Sequence, residues 1–142
     1  LGKWYEIARM PHSFEEGLQS VTAEYRLNGD GSVEVTNRGY HVEDEEWQTA
    51  IGLAKPVENM EAAYKVTFFW PFYGGYYVSW LDNNYQLAIV TSDSHEYFWL
   101  LSRTPDVAQD DIDYALAKAH EWGYDIDQMI MVDHPAEFQD AN

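Results

Sequence analysis

Through the first hundred residues, apolar and polar side chains alternate with a period of two in short runs, and clusters of Gly, Asn, Asp and Pro separate the runs. That alternation marks half-buried β-strands. Eight such runs occur, at about 4–9, 21–27, 33–40, 47–54, 63–69, 76–81, 86–91 and 97–102. Links such as Asn28-Gly29-Asp30-Gly31 and Asp82-Asn83-Asn84 are hairpin-like, because these residues tolerate the positive φ of tight turns. Eight sequential strands with short links predict a mainly β fold, an eight-stranded antiparallel up-and-down β-barrel whose closure removes exposed edges. One longer connection, residues 10–20, falls between the first two strands and is placed to lid a barrel mouth.

Beyond Arg103 the period lengthens to about 3.6. Ile112, Ala115, Leu116, Ala119 and Trp122 share one face, while Asp110, Asp111, Asp113, Lys118 and Glu121 fall largely elsewhere. Acidic residues at the start suit the helix dipole, and Gly123 is placed as the C-terminal cap. The pattern predicts one C-terminal α-helix packed outside the barrel, with outward Tyr5 and Ile7 receiving its apolar stripe. A short final strand follows at 129–132. No internal repeat or linker divides the chain, so residues 1–142 are expected to form a single domain.

Counting the alternation from Trp4 and Arg103 predicts the barrel lining. The expected inward sets are Glu6 and Ala8; Ala23 and Tyr25; Val33, Val35 and Asn37; Tyr64, Val66 and Phe68; Tyr76, Val78 and Trp80; Ala88 and Val90; Tyr97, Trp99 and Leu101. An indole and a guanidinium far apart in sequence can stack at one end, closing the barrel into a cup. The lining suits an elongated apolar molecule with one polar end. It would equally fill a small barrel that holds nothing, since eight strands lie at the boundary between the two cases.

Charge narrows the partners. With 25 acidic and 8 basic residues the formal net charge is −17, which argues against nucleic acid and disfavours binding to an anionic membrane by charge alone. The acids read as a solvated, self-repelling shell. The chain has no cysteine, so disulfides, thiolate chemistry and Cys-ligated metals are excluded. His12, His41, His95, His120 and His134 fall in five different segments without ligand spacing, with His12, in the lid loop, the exception to watch. No metal, cofactor or catalytic residue is expected. Glu6, inward among apolar groups, reads as a structural carboxylate hydrogen-bonded to a Tyr or an Arg. No apolar run approaches the ~20 residues of a membrane span, and nothing resembles a signal peptide; starting at Leu1, the chain is expected to be a mature or trimmed form.

Gly2-Lys3-Trp4, the Asp82 to Tyr85 turn and Arg103 together resemble the three signature regions of the lipocalin family, in order and at fitting spacing. The runs Trp4-Tyr5-Glu6-Ile7-Ala8-Arg9, Phe69-Trp70-Pro71-Phe72-Tyr73-Gly74-Gly75-Tyr76 and Trp99-Leu100-Leu101-Ser102-Arg103-Thr104-Pro105 are similar to the bacterial outer-membrane branch, kin of apolipoprotein D. The chain departs from the family where Asn83 follows Asp82 in place of an aromatic residue. The lipid-attachment cysteine of that branch is also absent from this chain. The resemblance implies binding, storage or transport of a small lipophile, a fatty acid or lysophospholipid. It also implies a lipoprotein on the periplasmic face of the outer membrane, held only through a lipid anchor outside this chain.

The ligand tail is accordingly assigned to Tyr25, Val35, Asn37, Tyr64, Val66, Phe68, Tyr76, Val78, Trp80, Tyr97, Trp99 and Leu101, with the polar head at the mouth near His12, Phe14 and the 70–73 loop. Trp4 and Arg103 are assigned to the closed end as structural residues. Two other readings stay open. One is an enzyme acting on a lipophile in the same cup through Glu6 or a Tyr hydroxyl. The other is a filled barrel that meets a protein partner or forms a homodimer through its 70–73 aromatic loop.

Overall fold

The computed structural model describes residues 2–11, 17–56, 63–68, 73–82, 84–92 and 97–135, with 63–68 and 73–76 as backbone. Among them lie nine strands: β1 (Gly2–Arg9), β2 (Leu18–Leu27), β3 (Val33–His41), β4 (Glu46–Pro56), β5 (Ala63–Phe68), β6 (Tyr73–Leu81), β7 (Leu87–Thr91), β8 (Phe98–Ser102) and β9 (Ile130–Met131). Helix α1 spans Gln109–Glu121. All eight expected strands are present, several extended at one end, and the final strand is the shorter pair Ile130–Met131.

The strands pair antiparallel in chain order from β2 to β8, and β1 then bonds to both β8 and β2, which closes the sheet. The β1–β2 seam is split. Residues 2–5 pair with 25–22, but β2 bulges between Gln19 and Thr22, with Ser20 at φ 54°, and leaves β1. The C-terminal segment fills the gap. Ala8 and Arg9 pair with Met131 and Ile130, the Val132 N–H donates to Ile7 O at 2.9 Å, and the Ser20 N–H donates to Asp133 O at 2.8 Å.

Helix α1 lays its small residues on the barrel. Ala115 and Ala119 are buried against Ile7, Ala8, Ile89, Phe98, Leu100 and Tyr124, flanked by Tyr5, Ile112 and Trp122. Tyr5 and Ile7 therefore receive the helix as expected. Gly123, at φ 95°, adopts the left-handed conformation that ends it. With the helix on one side and the barrel interior on the other, every residue of β7 and β8 is buried.

Two irregularities re-aim the lining. Between Glu6 and Ala8 in β1, and between Val78 and Trp80 in β6, the register shifts by the extra residue of a β-bulge. Ala8, expected inside, instead pairs with Leu100 and lies under the helix. Trp80, expected among the ligand-facing residues, points outward and packs against Tyr114 of α1, ring centroids 5.5 Å apart. In exchange Arg9 comes level with Trp99 and Leu81 level with Ala88, both inner positions.

Candidate ligand-binding site

The closed end is built from the first strand and the residue that follows β8. The Arg103 guanidinium lies 3.9 Å from the Trp4 ring centroid, donates through Nη1 to Lys3 O at 3.1 Å, and through Nε to Tyr85 O at 3.4 Å. This one side chain ties β1, the β6–β7 turn and the end of β8. Burial lowers the guanidinium's pKa from its ordinary value, yet an Arg remains charged at neutral pH. Gly2 serves the same lock for two reasons: its φ is 88°, and a Cβ there would sit 3.1 Å from Arg103 Nη1.

Above this lock opens a cavity of about 290 Å³ lined by Trp4, Tyr25, Val33, Ala54, Val78, Leu81, Tyr85, Ala88, Val90, Leu101 and Arg103. It is apolar except for the Tyr hydroxyls and the guanidinium edge, and lies near the lower end of small-molecule sites. Trp4 and Arg103 thus form part of its wall as well as the closure. The barrel core continues through Val35, Trp99 and Tyr97, the last two rings stacked at 5.8 Å.

The expected residues divide by position. Tyr25, Val78 and Leu101 line the cavity, and Val35, Tyr97 and Trp99 lie in the same inner cluster. Asn37 is half-buried and stands between Ala23 and Ala50 in the register. Tyr64, Val66, Phe68 and Tyr76 have their strand positions defined, Val66 opposite Ala54 and Phe68 opposite Gly52, while their side chains fall outside the description. His12, Phe14 and residues 70–72 lie outside the described residues.

Ala54, Leu81 and Tyr85 line the cavity without having been picked out. For Ala54 the signal is inverted. Along β4 the bulky Ile51 and Leu53 face solvent, at 54% and 37% exposure, while small Ala54 turns inward and leaves room. For Leu81 no sequence mark announces the bulge.

Further along β1 the interior holds an ion pair. Arg9 Nη1 donates to Glu6 Oε1 at 3.3 Å and Nη2 donates to Leu18 O at 3.1 Å, with both side chains buried. Pairing neutralises Glu6, as its surroundings required. Behind it, on the outer side, His134 Nε2 donates to Glu6 O at 2.6 Å and its ring meets Tyr5 edge-on. Burial, outweighing that hydrogen bond, lowers the His134 pKa from its ordinary value. Among the described residues no three His, Asp or Glu side chains converge as a metal site. Nor is any described helix long and apolar enough to cross a membrane.

The closed barrel with a stacked Trp and Arg, an outer helix and an apolar cavity defines a class that comparison with known proteins bears out. Residues 1–134 match the family model for a lipocalin-like domain. The chain belongs to the lipocalin family. It is 50% identical over 134 residues to the outer membrane lipoprotein Blc of Vibrio cholerae, covering 93% of this chain and 78% of that one. Apolipoprotein D of Bos taurus is 34% identical over 122 residues, covering 80% and 64%. Among solved structures, lobster apocrustacyanin A1 superposes with a TM-score of 0.76 at 17% identity, over 96% of this chain and 78% of that one, a likeness of fold.

Proposed function

We propose that this lipocalin binds and carries a small lipophile, the acyl chain of a fatty acid or lysophospholipid, in the barrel cavity. The observation that carries the reading is the cavity itself: about 290 Å³, apolar, and kept open by Ala54 and Ala88 where larger side chains would fill it. The tail is assigned to Tyr25, Val78 and Leu101 with Val35 and Trp99 nearer the mouth, and the head to the mouth end near His12, Phe14 and the 70–73 loop. The kinship with outer membrane lipoproteins supports a site of action at the periplasmic face of the outer membrane, held there by a lipid anchor in the precursor. With the buried acid already paired to Arg9, the reading is carriage without turnover.

Titrating delipidated protein with palmitate or a lysophospholipid while following tryptophan fluorescence is the direct test, because Trp4 and Trp99 border the site. A saturable change at about micromolar concentration is expected. Ala88→Phe, which fills the cavity, should abolish the response while leaving the thermal midpoint near its original value. A flat titration of the delipidated parent chain would overturn the proposal. Mass spectrometry should return the ligand unchanged, and a modified ligand would replace carriage with catalysis.

A further inference from the structure

The wall of the cavity carries one charged side chain. Of its eleven lining residues only Arg103 is charged at neutral pH, and every other side chain there is aliphatic or aromatic. In a chain with 25 acids, Arg103 has no carboxylate partner among the described residues. Two of its nitrogens are committed to the closure, Nη1 to Lys3 O at 3.1 Å and Nε to Tyr85 O at 3.4 Å, and both acceptors are neutral carbonyls. Its Nη2 donates to no protein group among the described residues.

The surrounding charges do not fill that role. Asp82, in the turn that holds Tyr85, is occupied by the turn itself: its Oδ1 accepts from the Gln86 N–H at 2.7 Å and the Leu87 N–H at 3.2 Å. Lys3 keeps its ammonium on the outer side, 5.0 Å from the Tyr5 ring centroid. Tyr85 stands at φ 57°, in the left-handed region that a non-Gly residue enters at a cost. In that conformation its carbonyl takes Arg103 Nε and the residue joins the cavity wall. With Trp4, Lys3 O and Tyr85 O holding the guanidinium, its remaining edge is preorganised.

We propose that the cavity floor is a carboxylate subsite, at which Arg103 Nη2 receives the acid group of a short apolar monocarboxylate lying wholly inside the cavity, with its tail toward Val78 and Val90. A carboxylate supplies the counter-charge that this wall lacks, and its bond to a guanidinium is roughly twice as strong as a neutral one. It is also no wider than an alkyl chain. A glycerophosphate head is wider, so a lysophospholipid keeps its head at the mouth. The subsite presupposes the lipophile cavity of the proposed function and gives it a second class of ligand.

Tryptophan fluorescence titration with octanoate, octanol and octylamine, three probes with one tail and different heads, tests it. Octanoate is expected to bind about tenfold tighter than octanol, with octylamine the weakest. Arg103→Gln should erase that order, and Lys3→Gln, which removes an ammonium on the outer face, should keep it. In the parent chain the Arg103 side-chain N–H resonances should shift with octanoate and not with octanol. Equal binding of octanoate and octanol overturns the subsite, as does a preference that survives Arg103→Gln in a chain that circular dichroism shows folded. So does an absence of octanoate binding where a lysophospholipid still binds, a result that leaves the carrier function standing. A flat response to palmitate, lysophospholipid and octanoate alike removes both. Should Arg103→Gln fail to fold, the order of the three heads on the parent chain decides by itself.

Discussion

Two walls of one barrel follow different rules. In β7 and β8 all ten positions are buried, because the cavity side has its core and the back carries α1. In β4, by contrast, only Gly52 and Ala54 are buried, since no described element covers its back. Alternation is therefore less a property of a strand than of what lies behind it. The doubly covered wall is a continuous apolar run, Leu-Ala-Ile-Val and Phe-Trp-Leu-Leu, and bears the packing; the singly covered wall is free to carry chemistry.

One residue type placed on both walls gives the sharpest test. Ile89 points away from the cavity beneath α1 and is fully buried, whereas Ile51 points away from the cavity into solvent. Ile89→Ala should cost about 3–4 kcal/mol in denaturant unfolding, and Ile51→Ala should stay within about 0.5. Near-equal losses would break the comparison.

The next largest effect belongs to the buried pair. Arg9→Met strands Glu6 in the interior and should cost about 3 kcal/mol, most of it recovered in Glu6→Leu/Arg9→Met. Failure of the double variant to recover would mean that the Leu18 carbonyl contact, rather than charge, is what Arg9 supplies. At the closed end, Arg103→Ala should lower stability by about 1–2 kcal/mol and shift the emission of Trp4.

The smallest effect is a pH dependence. His134 is held neutral by burial, so its native pKa lies below the unfolded value of about 6.5. Above that value the stabilisation is fully present. As pH falls, the unfolded chain takes up the proton first and stability declines. His134→Gln should flatten this component of the stability profile between about pH 7 and 5. An unchanged slope would place the titration elsewhere.

The strands, the outer helix and its landing place on Tyr5 and Ile7 were legible because period two and period 3.6 are long-range signals that survive local error. Inward and outward were legible only until a bulge. Ala8 and Trp80 were assigned inside because counting by twos carries no record of an inserted residue, and neither Ile7 nor Ser79 is the Gly or Pro that would mark one. The same slip hid Arg9, the partner Glu6 needed. Ala54 went unseen for another reason: hydrophobicity points inward at Ile51 and Leu53, whereas an open cavity asks for small residues.

The split seam has a bearing on the order of folding. Ser20 and Asp133, joined backbone to backbone, are 113 residues apart, and β9 enters a gap that β2 has left vacant beside β1. Contacts of such separation pay their loop-closure entropy late. A chain emerging from its N-terminus can assemble β2 to β8 hairpin by hairpin, but that half of the seam waits for the last strand to arrive. Truncation before Ile130 should therefore leave the Ser20 N–H open to hydrogen exchange while β7 and β8 remain protected.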